Sequence, residues 1–254
     1  MKASLPVLIL MAVGLLAPGP MRAQLVEEFK PPKATCCLQM FAQRIVDQLQ
    51  DWNQIGWYYD ENQPLKAAPA PAGRVVFIGD AITEEWKLEK FFPGKPYLNR
   101  GIPGQTTPQM LVRFFPDVIN LHPAAVVIMG GINDIARNTG PETLEMIGDN
   151  IRALCELART HDIKVVLGLV LPVSDYTPHK QTVNHPLSDI VKMNEWIRAY
   201  AAGIHAEVAD YYSVLADDKG MLKAGYSEDG AHANDRSYAL MAPVAQAAIE
   251  KALK

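Results

Sequence analysis

From residue 75 to residue 253 the chain alternates short, nearly continuous apolar runs with longer stretches of helical periodicity. The apolar runs fall at 75–78, 97–98, 124–129, 164–171 and 207–211, and the helical stretches at 108–121, 141–161, 191–204 and 236–253. Strands that are apolar along their whole length must be covered on both faces. Connections long enough to hold a helix let successive strands run parallel. The pattern therefore predicts an α/β fold, a three-layer α/β/α sandwich around a parallel sheet. In such sheets functional groups collect beyond the carboxyl ends of the strands.

At 254 residues, 49% hydrophobic and 20% charged, the chain can bury one substantial core. Residues 1–23 carry Lys2, an apolar stretch from Leu5 to Ala17, a Pro18-Gly19-Pro20 breaker and the small residue Ala23. That layout predicts a secretory signal peptide, the stretch being short for a membrane span. Removing it takes away Lys2 and Arg22 and no acidic residue, so the formal charge goes from −4 to −6. The expectation is a mature protein that is exported, periplasmic or secreted, without a stable membrane anchor. Residues 24–73 form an N-terminal segment: an amphipathic helix between about 32 and 59, from the spacing of Cys37, Met40, Phe41, Ile45, Leu49 and Trp52, then a Pro/Ala linker at 64–73. The main domain spans 74–254.

Twenty-four basic and 28 acidic residues without long runs of one sign leave no electrostatic footprint for nucleic acid. Three cysteines, Cys36, Cys37 and Cys155, are too few for a disulfide framework, and Cys155 falls on the apolar face of a helical pattern, as a small buried hydrophobe would. No histidine stands at ligand spacing beside them, so no metal site is expected.

Four short blocks carry polar chemistry. Gly79-Asp80-Ala81 follows the first apolar run, Asn99-Arg100-Gly101 the second and Gly130-Gly131-Ile132-Asn133-Asp134 the third; Asp229-Gly230-Ala231-His232 lies near the C-terminus. Singly, each has a plainer role: Asp80 or Asn133-Asp134 as a helix cap, Asp229-Gly230 as a turn, and Arg100 as either a surface residue or one that positions its loop. Their order, with three of the four at predicted strand ends, is what singles them out. Together they resemble the SGNH (GDSL) hydrolases, whose sheet is flavodoxin-like and whose nucleophile is the third residue of Gly-Asp-Ser.

The resemblance covers the chain from about Arg74 onward and implies a serine esterase without cofactor, acting on small acyl esters or O-acylated saccharides. It implies Ala81 at the nucleophile position, His232 as base and Asp229 as the acid that orients it. It also implies an oxyanion hole of the Ala81 and Gly101 backbone N–H groups and the Asn133 side-chain amide, with Asp80 in support. A methyl group cannot attack a carbonyl. Two histories explain Ala81: a variant disabled at the serine, or a pseudoenzyme that binds an ester or glycan without cleaving it. The retention of Gly101, Asn133, Asp229 and His232 favours the first, because these parts act as one unit.

No other nucleophile is legible. The chain lacks a Gly-x-Ser-x-Gly elbow, Gly225-Tyr226-Ser227 lacks its second glycine, and Thr83 lies two residues past the turn. The loop at 101–106 has glycines but no phosphate-binding lysine, which sets aside a nucleotide-binding module. His179 and His185 flank a proline-rich loop expected to border the pocket. Nothing in the sequence specifies oligomeric state.

Overall fold

The computed structural model describes residues 51–178 and 180–254. The signal segment, Cys36, Cys37 and His179 lie outside the described residues, as does residue 50 and everything before it of the helix expected at 32–59. Within the described part, residues 51–58 form turns and a helix, α1 (Tyr59–Ala67), follows. It begins where the expected helix ends, and its last four residues, 64–67, take up the first part of the expected linker. Local composition is overridden here by a tertiary anchor, Asn62, which donates to the Asp117 carboxylate at 2.7 Å and to the Pro116 carbonyl at 3.2 Å.

The main domain runs β1 (Val75–Gly79), α2 (Ala81–Glu84), α3 (Leu88–Phe91), β2 (Tyr97–Gly101), α4 (Thr107–Val112), α5 (Phe114–Asp117), β3 (Ala125–Met129) and α6 (Ile132–Ile135). It continues through α7 (Leu144–Thr160), β4 (Lys164–Gly168), α8 (Leu187–Ile204), β5 (Glu207–Ala209), α9 (Tyr211–Leu215) and α10 (Asp235–Ala252). All strand pairs are parallel, in the order β2-β1-β3-β4-β5. Val75 aligns with Tyr97 on one side and Ala125 on the other.

Strand alternation sends successive side chains to opposite layers. Val76 and Ile78 join Val126, Ile128, Val165 and Leu167 in a core closed by α4, α7 and α8. Val75 and Phe77 join Val127 and Val166 in a second core closed by α9, α10, Trp86 and Phe92. Each fully buried aliphatic side chain contributes about 1.5–3 kcal/mol. This is the expected three-layer sandwich, and Cys155 is buried in its first core as expected.

Beyond α1, and β5 ending at Ala209 rather than 211, two more elements differ from expectation. The helix foreseen at 108–121 is broken into α4, α5 and a 3-10 turn at Ile119–Leu121. Pro116 has no N–H to continue the ladder, and Arg113, at the junction, turns its guanidinium inward. Strand β4 ends at Gly168 rather than 171. Beyond it the Asn194 side chain takes over as a strand would, accepting from the Val170 N–H at 2.8 Å and donating to the Val170 carbonyl at 2.9 Å.

Candidate active site

Strand β1 is where the sheet reverses its direction of growth, β2 lying on one side and β3 on the other, and a crevice opens at the carboxyl ends of such strands. Asp80 leaves β1 and caps α2, its Oδ1 accepting from the Ile82 N–H at 3.0 Å. Ala81 is the first residue of that helix. Burial pushes the Asp80 carboxyl up to about 7, against the pull of the Ile82 N–H and of His232.

The turn between α9 and α10 brings Asp229 to His232. Asp229 Oδ2 lies 2.6 Å from His232 Nδ1, while Oδ1 accepts from the N–H groups of Ala231 and His232, each at 2.9 Å, and from Ser227 Oγ at 3.0 Å. Gly230 makes the turn possible: its φ is +91°, and a Cβ there would stand 2.5 Å from the Ser174 carbonyl. The Ser174 N–H donates to the Gly230 carbonyl at 2.7 Å, and Gln181 Nε2 to the Asp229 carbonyl at 3.1 Å. Burial would raise Asp229, but His232 and the two amides outweigh it and hold the carboxyl well below the ordinary carboxylate range. Burial would lower His232; the hydrogen bond and charge of Asp229, with Glu85 and Asp80, raise it instead. The carboxylate on Nδ1 leaves Nε2 as the basic nitrogen.

A cavity of about 430 Å³ brings Asp80, Ala81, Asn133 and His232 together. Asn133 sits in α6, donating through Nδ2 to the Gln105 carbonyl at 3.1 Å and accepting at Oδ1 from Asn138 Nδ2 at 2.9 Å. Its Nδ2 is also 3.4 Å from Asp80 Oδ2. His185 lines the same cavity, as expected for its loop. A second cavity of about 430 Å³, beside Arg159, Lys164, His205 and Lys251, lies at the opposite end of the sheet from these groups.

Gly101 is not where its expected role requires. It ends β2 with its N–H donated to Asn99 Oδ1 at 2.9 Å and its carbonyl accepting from the Tyr58 hydroxyl. A Cβ on Gly101 would meet the Glu84 nitrogen at 2.1 Å, so this glycine serves close packing of β2 on α2. Gly104, three residues on, lines the cavity instead.

Arg100 is buried. Its Nε and Nη2 donate to Asn62 Oδ1 at 3.1 and 2.8 Å, and its guanidinium lies 4.5 Å above the Tyr58 ring. Below the loop, fully buried Arg113 donates to the Gln105 side chain, to Asp117 at 3.1 Å and to the Gly79 carbonyl at 3.1 Å. No motif marked Gln105 or Arg113, because the burial that gives their pairing its role is set by the fold around them. Asp134 does not cap α6, whose N-cap is Gly131; buried, it accepts from the Thr107 N–H at 2.9 Å, and burial raises both its carboxyl and that of Glu142 beside it. Ser227 points its hydroxyl at Asp229 and Thr83 is buried, so neither lines the cavity. Among the described residues no three His, Cys, Asp or Glu side chains stand together to hold a metal ion, and no helix is long and apolar enough to cross a membrane.

Residues 77–240 match the model of the GDSL-like lipase/acylhydrolase family. The chain belongs to this family. A protein of Bacteroides fragilis assigned as an acylhydrolase is 38% identical, covering 80% of this chain and 99% of its own, with a TM-score of 0.73. A GDSL-like lipase of Bacteroides thetaiotaomicron is 37% identical over 79% of this chain and 99% of its own, with a TM-score of 0.72. An acetylxylan esterase of Geobacillus stearothermophilus, at 17% identity, 71% and 95% coverage and a TM-score of 0.58, shares the fold of the GDSL-like acylhydrolases. No curated protein matches the chain. The family model begins inside β1, so α1 and the turns before it lie outside the matched span.

Proposed function

We propose that this GDSL-like acylhydrolase is built for small acyl esters and that its acyl-enzyme route requires a serine at position 81. The observation that carries the reading is the Asp229–His232 pair on one cavity wall with Ala81 on the same cavity. With serine there, Oγ would attack the ester carbonyl while His232 Nε2 takes its proton. The alcohol would leave with that proton, and water would release the acyl group by the same path in reverse. The Ala81 and Gly104 N–H groups and the Asn133 amide are the proposed donors to the tetrahedral oxygen, Gly104 standing in for Gly101.

Apolar Ile132, Pro103 and Ala136 suit a short acyl chain, and the amides of Asn138, Gln181 and Asn184 suit a hydroxylated alcohol such as a saccharide. The N-terminal layout supports export, periplasmic or secreted. Ala81 itself favours a second reading, a protein that binds such esters without an acyl-enzyme. Ala81→Ser decides between them: burst and turnover on short acyl esters support the esterase, and tight binding without either supports the binder.

A further inference from the structure

The chain keeps a fully organised base facing a side chain that has no proton to give. Four hydrogen bonds orient the Asp229 carboxylate and its imidazole partner, and two more, from Gln181 and Thr177, fasten the Asp229 backbone. Neither Ser227 nor Thr83 can replace the hydroxyl, for the reasons given above. The cavity is large enough to hold a small ester and a water molecule side by side.

We infer that the chain as it stands hydrolyses activated esters by direct attack of water, with His232 as general base and no acyl-enzyme. The inference rests on the cavity being an ester site. The water oxygen bonds to the acyl carbon as its proton passes to His232 Nε2, and the carbonyl oxygen takes the negative charge. That tetrahedral species collapses, the carbon–alkoxy bond breaks, and the leaving oxygen takes the proton from Nε2. Carboxylic acid and alcohol depart and the neutral imidazole is restored, so nothing beyond water is consumed. Asp229 on the same turn, with Asp80 and Glu85 from either end of α2, all favour a basic imidazole. The oxyanion donors and binding alone sustain a rate on the order of 10³-fold above the uncatalysed reaction when a triad member is missing, and a positioned general base on water adds about 10²–10⁴-fold to that.

The test is hydrolysis of p-nitrophenyl acetate by the unaltered chain, by His232→Ala and by Ala81→Ser. The inference expects linear release without a burst, slower in D₂O and about 10²-fold or more faster than His232→Ala. The rate should rise with pH through a midpoint above the ordinary imidazole value, as the neutral base forms. His232→Ala should fall by about 10²-fold or more, to the rate that binding and the oxyanion donors alone sustain, and recover when free imidazole is added, a rescue that a folding defect would not show. Equal rates for the unaltered chain and His232→Ala overturn the inference, as does a burst with acetyl found on His232 by mass spectrometry. If Ala81→Ser turns over while the unaltered chain stays at the His232→Ala level, the serine-esterase reading stands and this one falls. If Ala81→Ser is inert as well, both fall.

Discussion

At position 81 a single oxygen separates two chemistries. Loss of a nucleophile from a triad acting as a unit costs on the order of 10⁶ in kcat, so Ala81→Ser should exceed the unaltered chain by about that factor on an acyl ester, read by stopped-flow burst and steady state. In that background Asn133→Ala should lower kcat by about 10²–10³ with little change in KM, because the amide meets the charged oxygen more strongly than the ground-state carbonyl. A merely structural Asn133 would instead lower Tm and leave kcat of the folded fraction unchanged. The block at 229–232 was legible from sequence because acid and base share one turn. Gly104 was not, since which of two nearby glycines lines the cavity depends on the loop's path, and that path is set by Gln105, Arg113 and Tyr58.

At the scale of elements, the loop from Gly101 to Thr106 is held from below and from outside. Arg113 grips Gln105 from within, and the 51–58 turns grip it from without through the Gln54 side chain at 3.0 Å and the Asn53 carbonyl at 3.3 Å. Gln105 in turn presents the carbonyl that holds Asn133. Tyr58→Phe removes one hydrogen bond to the Gly101 carbonyl while keeping the ring under Arg100; it should cost about 1 kcal/mol, or about 2–4 °C in Tm by calorimetry. Arg113→Met leaves Asp117 buried beside a neutral chain and should cost about 3–5 kcal/mol in urea unfolding. Equal effects of the two changes would remove Arg113 from this account. The alternation of strand and helix was readable because both faces of the sheet are buried; the breaks at Arg113 and Gly168 were not, since side chains outside the broken elements, Gln105 in the preceding loop and Asn194 on α8, complete them.

For the whole molecule, buried acids set how stability depends on pH. Asp80, pushed up to about 7, and Glu142, raised beside Asp134, keep protons in the folded state that the unfolded chain has already released. Their contribution is present below the ordinary carboxylate range and is lost as pH rises through their folded values. Glu142→Gln keeps a donor toward Asp134 without the charge, so urea unfolding at about pH 5 and about pH 8 should show a smaller loss across that interval than the unaltered protein. An unchanged loss would assign the dependence elsewhere.

The contacts of Tyr58 and Asn62 also bear on where this protein can be cut and joined. A fragment trimmed to the matched span, 77–240, would lose the hydroxyl on Gly101 and both bonds from Arg100 to Asn62, leaving that guanidinium without them. It would also lose the last three turns of α10, with Ala245, Ala248 and Ile249 from the second core. The transplantable unit, whether for fusion to a carrier or grafting onto another scaffold, therefore begins at or before Trp52, whose carbonyl Gln109 already holds, and runs to the end of the final helix.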